Sequence, residues 1–177
     1  PAYFSVTYGA GGSTKDGTKQ AVIDIRAKGS DVAPHLSFGG DSADKIEALL
    51  SEYKNANVTR VVALRGDMPS GMGGSVRLTY ANELVDFIRE KTGDHFHIEV
   101  AAYPEVHPDS RSVESDLDFF KAKVDAGANS AITQYFYNPA AYFNFIDACE
   151  KKGVSIPIIP GIMPISNFQT LVRFSDM

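Results

Sequence analysis

Six short apolar runs, each broken off by a polar or aromatic residue and each about 30 residues from the next, constrain this chain more than any other feature. They are Phe4-Ser5-Val6-Thr7-Tyr8-Gly9, Val32-Ala33-Pro34-His35, Val61-Val62-Ala63-Leu64-Arg65-Gly66-Asp67, Ile98-Glu99-Val100-Ala101-Ala102-Tyr103, Ala131-Ile132-Thr133-Gln134 and Ile158-Ile159-Pro160-Gly161. Near-continuous apolar runs of this length are the mark of parallel strands buried on both faces. Each delivers a chemically useful side chain at its C-terminal end.

Between the runs the spacing predicts helices. Thr18, Ala21, Val22 and Ile25 recur at i, i+3, i+4 and i+7, with Gly29 placed to end the helix at a positive φ. Ile46, Leu49, Leu50 and Tyr53 repeat the pattern behind Asp41-Ser42, either of which can cap the free N–H groups. Ala81, Leu84, Val85 and Ile88 precede Gly93, and Val113, Leu117, Phe120 and Val124 precede Gly127. A fifth stripe, Tyr142, Phe145, Ile146 and Cys149, follows a cap at Asn138 with Pro139 in the first helical position. A sixth helix starts at Ser166 or Asn167 and carries Leu171 and Phe174.

Alternating strands and helices of this length require right-handed crossovers onto a parallel sheet. Such a sheet is either open and doubly wound or closed as a barrel. The barrel is favoured, because nearly every strand ends in a candidate functional residue, whereas an open sheet gathers its ligands at one switch point. A full (β/α)8 TIM barrel has eight units and six are visible. The prediction is therefore an α/β chain, one barrel domain over residues 1–177, with a strand-helix unit lacking at each end.

Composition narrows the partners. With 44% hydrophobic residues in 177, the chain can bury one sizeable core. The net charge of −5 and scattered basic residues argue against nucleic acid, and no apolar run is long enough for a membrane. One cysteine, Cys149, excludes an internal disulfide framework and a cysteine-built zinc site. It reads as core packing, the cytoplasm is the expected compartment, and no metal is expected. Exposed barrel helices are compatible with a homo-oligomer, although none shows an association stripe.

Several conspicuous residues have plain readings. Gly9-Ala10-Gly11-Gly12 lacks dinucleotide spacing and serves a tight turn as readily as a ligand cradle. His35 alone reads first as a hydrogen-bonded structural histidine, and His95 and His97 sit near a strand start, the stability face of a barrel. Asp67 is different: a carboxylate ending a very apolar strand needs a partner or a function.

Taken together, Ser5 to Gly9, Ala33-Pro34-His35-Leu36, Val62 to Asp67, Ala101-Ala102-Tyr103-Pro104-Glu105-Val106-His107-Pro108, Lys123 to Gln134 and Pro160 to Phe168 resemble, in order, motifs of the methylenetetrahydrofolate reductases. The resemblance implies a barrel holding FAD. Hydride would pass from NADH or NADPH through the flavin, in a ping-pong mechanism, to 5,10-methylenetetrahydrofolate. It further implies a flavin-binding set of Thr7, Tyr8, Ala10, His35, Leu64, Arg65, Gly66, Asp67, Tyr80, Ala81, Tyr103, His107, Asp116 and Lys123. Asp67 would be catalytic, and Gln134, Thr170 and Phe174 would meet folate and nicotinamide, with Gln169 competing with Thr170. The family's general acid, a glutamate, belongs to an earlier strand, and no residue of this sequence takes that role. Phe119 and Ala122 stand where relatives often carry polar groups, so apolar contact with the adenosine end is expected. The alternative is a flavin- or folate-binding barrel subunit without independent turnover.

Overall fold

The structure, a computed structural model, describes residues 1–8, 15–38, 41–65 and 80–175. Strand and helix alternate throughout: β1 (Phe4–Val6), α1 (Lys15–Ala27), β2 (Val32–Leu36), α2 (Ala43–Asn55), β3 (Arg60–Ala63), α3 (Ala81–Thr92), β4 (His97–Ala102), α4 (Val113–Asp125), β5 (Ser130–Thr133), α5 (Pro139–Lys151), β6 (Ile158–Ile159) and α6 (Phe168–Ser175). All strand pairs are parallel, and their order in the sheet is the order in the chain, β1 to β6. That order decides between the two predicted closures. A doubly wound sheet reverses its strand order at a switch point; this one never does, so successive crossovers of one hand stack the helices on one side. The six strands curl into a half-barrel, part of a TIM-type wall.

The helices begin and end where their local chemistry directs. Ser42 Oγ accepts from the Lys45 N–H at 3.4 Å and Ser112 Oγ from the Ser115 N–H at 3.1 Å. Asn138 Oδ1 caps α5 through the Ala140 N–H at 3.0 Å, with Pro139 behind it. Gly29 and Gly153 leave their helices at φ 85° and 74°, a conformation that a Cβ disfavours. One predicted stripe is shorter than its spacing suggests. Val113 is 66% exposed, because it opens α4 before that helix reaches the sheet.

One apolar cluster joins sheet and helices. Val61, Ala63, Ile98, Val100 and Ala131 pack with Ile46, Leu50, Leu84, Ile88, Leu117 and Phe120. Cys149 lies in that core, where burial pushes its thiol up to about 11. At the N-terminal ends of the strands a polar group is sealed in as well. The Glu99 carboxylate, fully buried, accepts from the Tyr3 hydroxyl at 2.9 and 2.8 Å and from Arg60 Nη1 at 3.2 Å, while His97 Nε2 and Ser130 Oγ pair at 2.8 Å beside it. Burial and the bond to Glu99 push the Tyr3 phenol up to about 12. No helix among the described residues is long and apolar enough to cross a membrane.

Candidate functional site

Because the strands are parallel, their C-terminal ends share one edge of the molecule, and the chain leaves each strand there with its polar residue. The strands are shorter than the apolar runs. Thr7, Leu64, Arg65, Tyr103 and Gln134 therefore lie just past the strand ends, although the Leu64 and Gln134 N–H groups still bond to the Leu36 and Ala102 carbonyls of the neighbouring strands at 2.8 Å. Between β3–α3 and β4–α4 this edge opens into a cavity of about 710 Å³, within the range of small-molecule sites.

Three segments build its wall. From β3 come Leu64, whose N–H is held by the Leu36 carbonyl at 2.8 Å, and Arg65. The start of α3 supplies Tyr80, Ala81 and Asn82, with the Tyr80 N–H bound by Glu83 Oε2 at 2.9 Å. The loop after β4 supplies Tyr103, His107 and Asp109. It turns through Val106, whose φ of 71° puts a β-branched residue in the left-handed region and marks local strain. His107 Nδ1 accepts from the Asp109 N–H at 3.0 Å, so a neutral His107 carries its proton on Nε2. The ring packs edge-on against Tyr103, centroids 4.5 Å apart.

Helix α4 closes the floor. Ser115, Phe119 and Lys123, four residues apart, present one helical face to the cavity. The Lys123 ammonium is withdrawn from water and donates to the Ala101 carbonyl at 2.5 Å; burial lowers its pKa to about 8, against a smaller opposing pull from Asp116. Asp116 is itself buried. Its Oδ1 accepts from Ser110 Oγ at 2.7 Å and its Oδ2 from the His107 N–H at 3.4 Å, so both oxygens hold the loop that carries His107. At the rim Arg65 Nη2 meets Asp109 Oδ2 at 2.5 Å, which keeps the Asp109 carboxyl below the usual carboxylate range.

Of the predicted flavin set, Leu64, Arg65, Tyr80, Ala81, Tyr103, His107, Asp116 and Lys123 thus surround one cavity. Thr7 and Tyr8, just past β1, and His35, on β2, stand at the same edge, outside that lining. The Thr7 carbonyl accepts from the Thr18 hydroxyl at 2.8 Å, and the Tyr8 hydroxyl donates to Asp41 Oδ2 at 2.9 Å. His35 Nε2 pairs with Ser5 Oγ at 2.6 Å, and burial lowers its pKa, which favours the neutral ring. Gln134 follows β5, exposed, its Oε1 accepting from the Tyr135 N–H at 3.0 Å. Thr170 and Phe174 belong to α6, and only their backbone is described; Ala10, Gly66 and Asp67 lie outside the described residues. Sequence reasoning did not pick out Asp109, Arg111 or Ser115 in the wall. Counting back from Lys123 in steps of four finds Ser115, whereas the other two come from a loop with no periodic signal.

The lining combines three cations (Arg65, Arg111 and Lys123) with the rings of Tyr80, Tyr103, His107 and Phe119. Donors of that kind suit phosphate oxygens, and flat faces suit aromatic rings. The donor set and the volume fit a dinucleotide such as FAD.

A family model described as "Methylenetetrahydrofolate reductase" matches residues 1–177. The 5,10-methylenetetrahydrofolate reductase of Escherichia coli K12 is 43% identical over 178 aligned residues, covering 100% of this chain and 59% of its own length. Methylenetetrahydrofolate reductase (NADH) 1 of Arabidopsis thaliana is 38% identical, covering 99% of this chain and 32% of its own length. This chain therefore spans little more than half of the bacterial relative. Among solved structures, a phosphonopyruvate hydrolase superposes with a TM-score of 0.62 at 13% identity over 82% of this chain and 50% of that one. An uncharacterised Clostridium thermocellum protein that binds two copies of 5-methyl-5,6,7,8-tetrahydrofolic acid superposes at 0.58 and 16% identity, over 98% of this chain and 69% of that one. At such identities the likeness is one of fold.

Proposed function

The chain belongs to the methylenetetrahydrofolate reductase family, and from that premise we propose that it is the flavin-holding barrel wall of an enzyme that reduces 5,10-methylenetetrahydrofolate to 5-methyltetrahydrofolate with NADH or NADPH. The observation that carries the proposal is the cavity at the C-terminal strand ends, with Lys123 at its floor, Arg65 at its rim and Tyr103 and His107 in its wall.

Lys123, Arg65 and the His107 Nε2–H would hold the pyrophosphate and ribityl oxygens of FAD. Asp116, through its bonds to Ser110 and the His107 N–H, would keep that donor in place. When bound, the flavin would supply a hydride relay between nicotinamide and folate. Asp67, two residues beyond Arg65, would place a carboxylate where it stabilises a cationic iminium form of the folate. Gln134, able to donate and accept, would meet the pterin edge, and Thr170 and Phe174 would complete the substrate side.

The test is spectroscopic. The full chain titrated with FAD should take up a flavin spectrum, bleach anaerobically with NADH or NADPH, and recover its colour on 5,10-methylenetetrahydrofolate. Failure to acquire flavin absorbance would sink the proposal. Bleaching without recovery would favour a binding barrel that does not turn over by itself.

A further inference from the structure

The mouth of the cavity carries a charge that works against an anionic ligand. Two carboxylates line the space, and Asp116 is committed to the Ser110 hydroxyl and the His107 N–H. Asp109 is engaged differently. Its side chain, 62% exposed, reaches from the loop after β4 across the opening to Arg65 at the end of β3, where Oδ2 accepts from Nη2 at 2.5 Å. An ion pair this open to water adds little to stability. The loop does not depend on it either, because Asp109 sits among anchored neighbours. Its own N–H donates to His107 Nδ1 at 3.0 Å, the Ser110 N–H donates to the His107 carbonyl at 2.9 Å, and Ser110 Oγ is held by Asp116 at 2.7 Å. The backbone bears the left-handed φ of Val106 to bring these residues to the mouth.

We propose that Asp109 is a built-in competitor for Arg65: its carboxylate holds the guanidinium that a phosphate of the cofactor takes, so the cofactor seats fully only by displacing it. This rests on the flavin reading above and adds to it how that same site admits and releases its ligand. Arg111, two residues on, lines the same cavity and is exposed, with no hydrogen bond or ion pair among the described residues. An arriving anion thus meets one unpaired cation before it has freed the other. Only molecules with Arg65 released complete the contact, so the apparent affinity is lowered by the fraction still paired. When the ligand leaves, Asp109 recaptures the guanidinium.

The test is a set of double-mutant comparisons on the full chain, with FAD affinity read by fluorescence quenching. Asp109→Asn should tighten FAD about two- to fivefold, the span of an exposed ion pair, in the parent and equally in Arg111→Gln, and should change nothing in Arg65→Met. The same gain in Arg65→Met would mean that only the charge of Asp109 is felt through space; no gain in the parent, or a loss, would mean that the pair does not compete. Either result overturns the proposal. A second readout needs no flavin, and it decides where Arg65→Met binds too weakly to measure. Phenylglyoxal, which modifies guanidinium groups, should react at Arg65 faster in Asp109→Asn than in the parent and at Arg111 equally in both, the sites being located by mass spectrometry. Unchanged reaction at Arg65 overturns the proposal. If the parent takes up no FAD, the flavin reading falls and inorganic pyrophosphate, titrated by calorimetry, takes its place. The same pattern of affinities then upholds the competition, and no pyrophosphate binding by the parent removes it.

Discussion

Lys123 is an amine placed where water is scarce, and its charge is therefore conditional. Burial brings its pKa from 10.5 down to about 8, with opposite consequences for folding and for binding. Between about 8 and 10.5 the unfolded chain holds the proton and the ligand-free fold does not, so this residue's contribution to stability rises with pH across that window. An anion binds the protonated form, so its affinity is greatest below 8 and falls above it. FAD titrations from pH 6.5 to 9.5 should show this fall in the parent and its absence in Lys123→Met, with weaker binding by the variant throughout; a parent profile flat through pH 8 would remove Lys123 from the phosphate site. Arg65 and Tyr103 were legible as chemistry at strand ends, and Lys123 and His107 through the family resemblance. The partners that orient them were less so. Asp109 reaches Arg65 across 44 positions and Phe119 meets Tyr80 from another helix, contacts that only the packed fold creates. Asp116 belongs to the flavin-binding set that the resemblance implies, while the geometry sets both its oxygens on the loop that carries His107.

Elements were most legible where period and punctuation agree, as in α2 and α5, whose apolar stripes begin at Ser42 and Asn138. The short strands were harder to bound. β6 pairs through only two residues, Ile158 with Ala131 and Ile159 with Ile132, because the chain turns away at Pro160-Gly161 to meet the end of β5. There the Gly161 N–H donates to Thr133 Oγ1 at 2.9 Å, and a Cβ at Gly161 would collide with the Thr133 carbonyl oxygen. Composition cannot tell such a glycine from an ordinary turn glycine, since the constraint comes from a strand 28 residues earlier. Gly161→Ala must push β6 off β5, with a loss of about 1–3 kcal/mol, the usual cost of overpacking. Gly29→Ala, where a Cβ would meet nothing within 4 Å, bears only the strain of a positive φ, about 1–2 kcal/mol. Urea melts separate the two once FAD is added. If β6 borders the ligand space, Gly161→Ala also weakens FAD or folate binding and Gly29→Ala does not.

Across the whole molecule the two ends of the sheet have different work, a division that follows from parallel strands. Sequence reasoning favoured the barrel only from where the candidate functional residues fall, since periodicity locates strands without saying which lie side by side. The unbroken order β1 to β6 settles the winding. The C-terminal edge holds the cavity, while the opposite end is tied by Glu99, which gathers Tyr3 from ahead of β1 and Arg60 from β3. Removing one member of a buried ionic group commonly costs about 3–5 kcal/mol. Arg60 is about one-third exposed and keeps some water when its partner is lost, so Glu99→Ala is expected at about 2–3 kcal/mol. Tyr3→Phe removes one donor and should cost about 0.5–1.5 kcal/mol. Neither should change FAD affinity in the folded protein, because no group of this network lines the cavity. Denaturation curves paired with FAD titrations on both variants check this. A fall in affinity that tracks the loss of stability would mean that the sheet transmits strain from one end to the other, and that the two faces of this barrel wall are not independent.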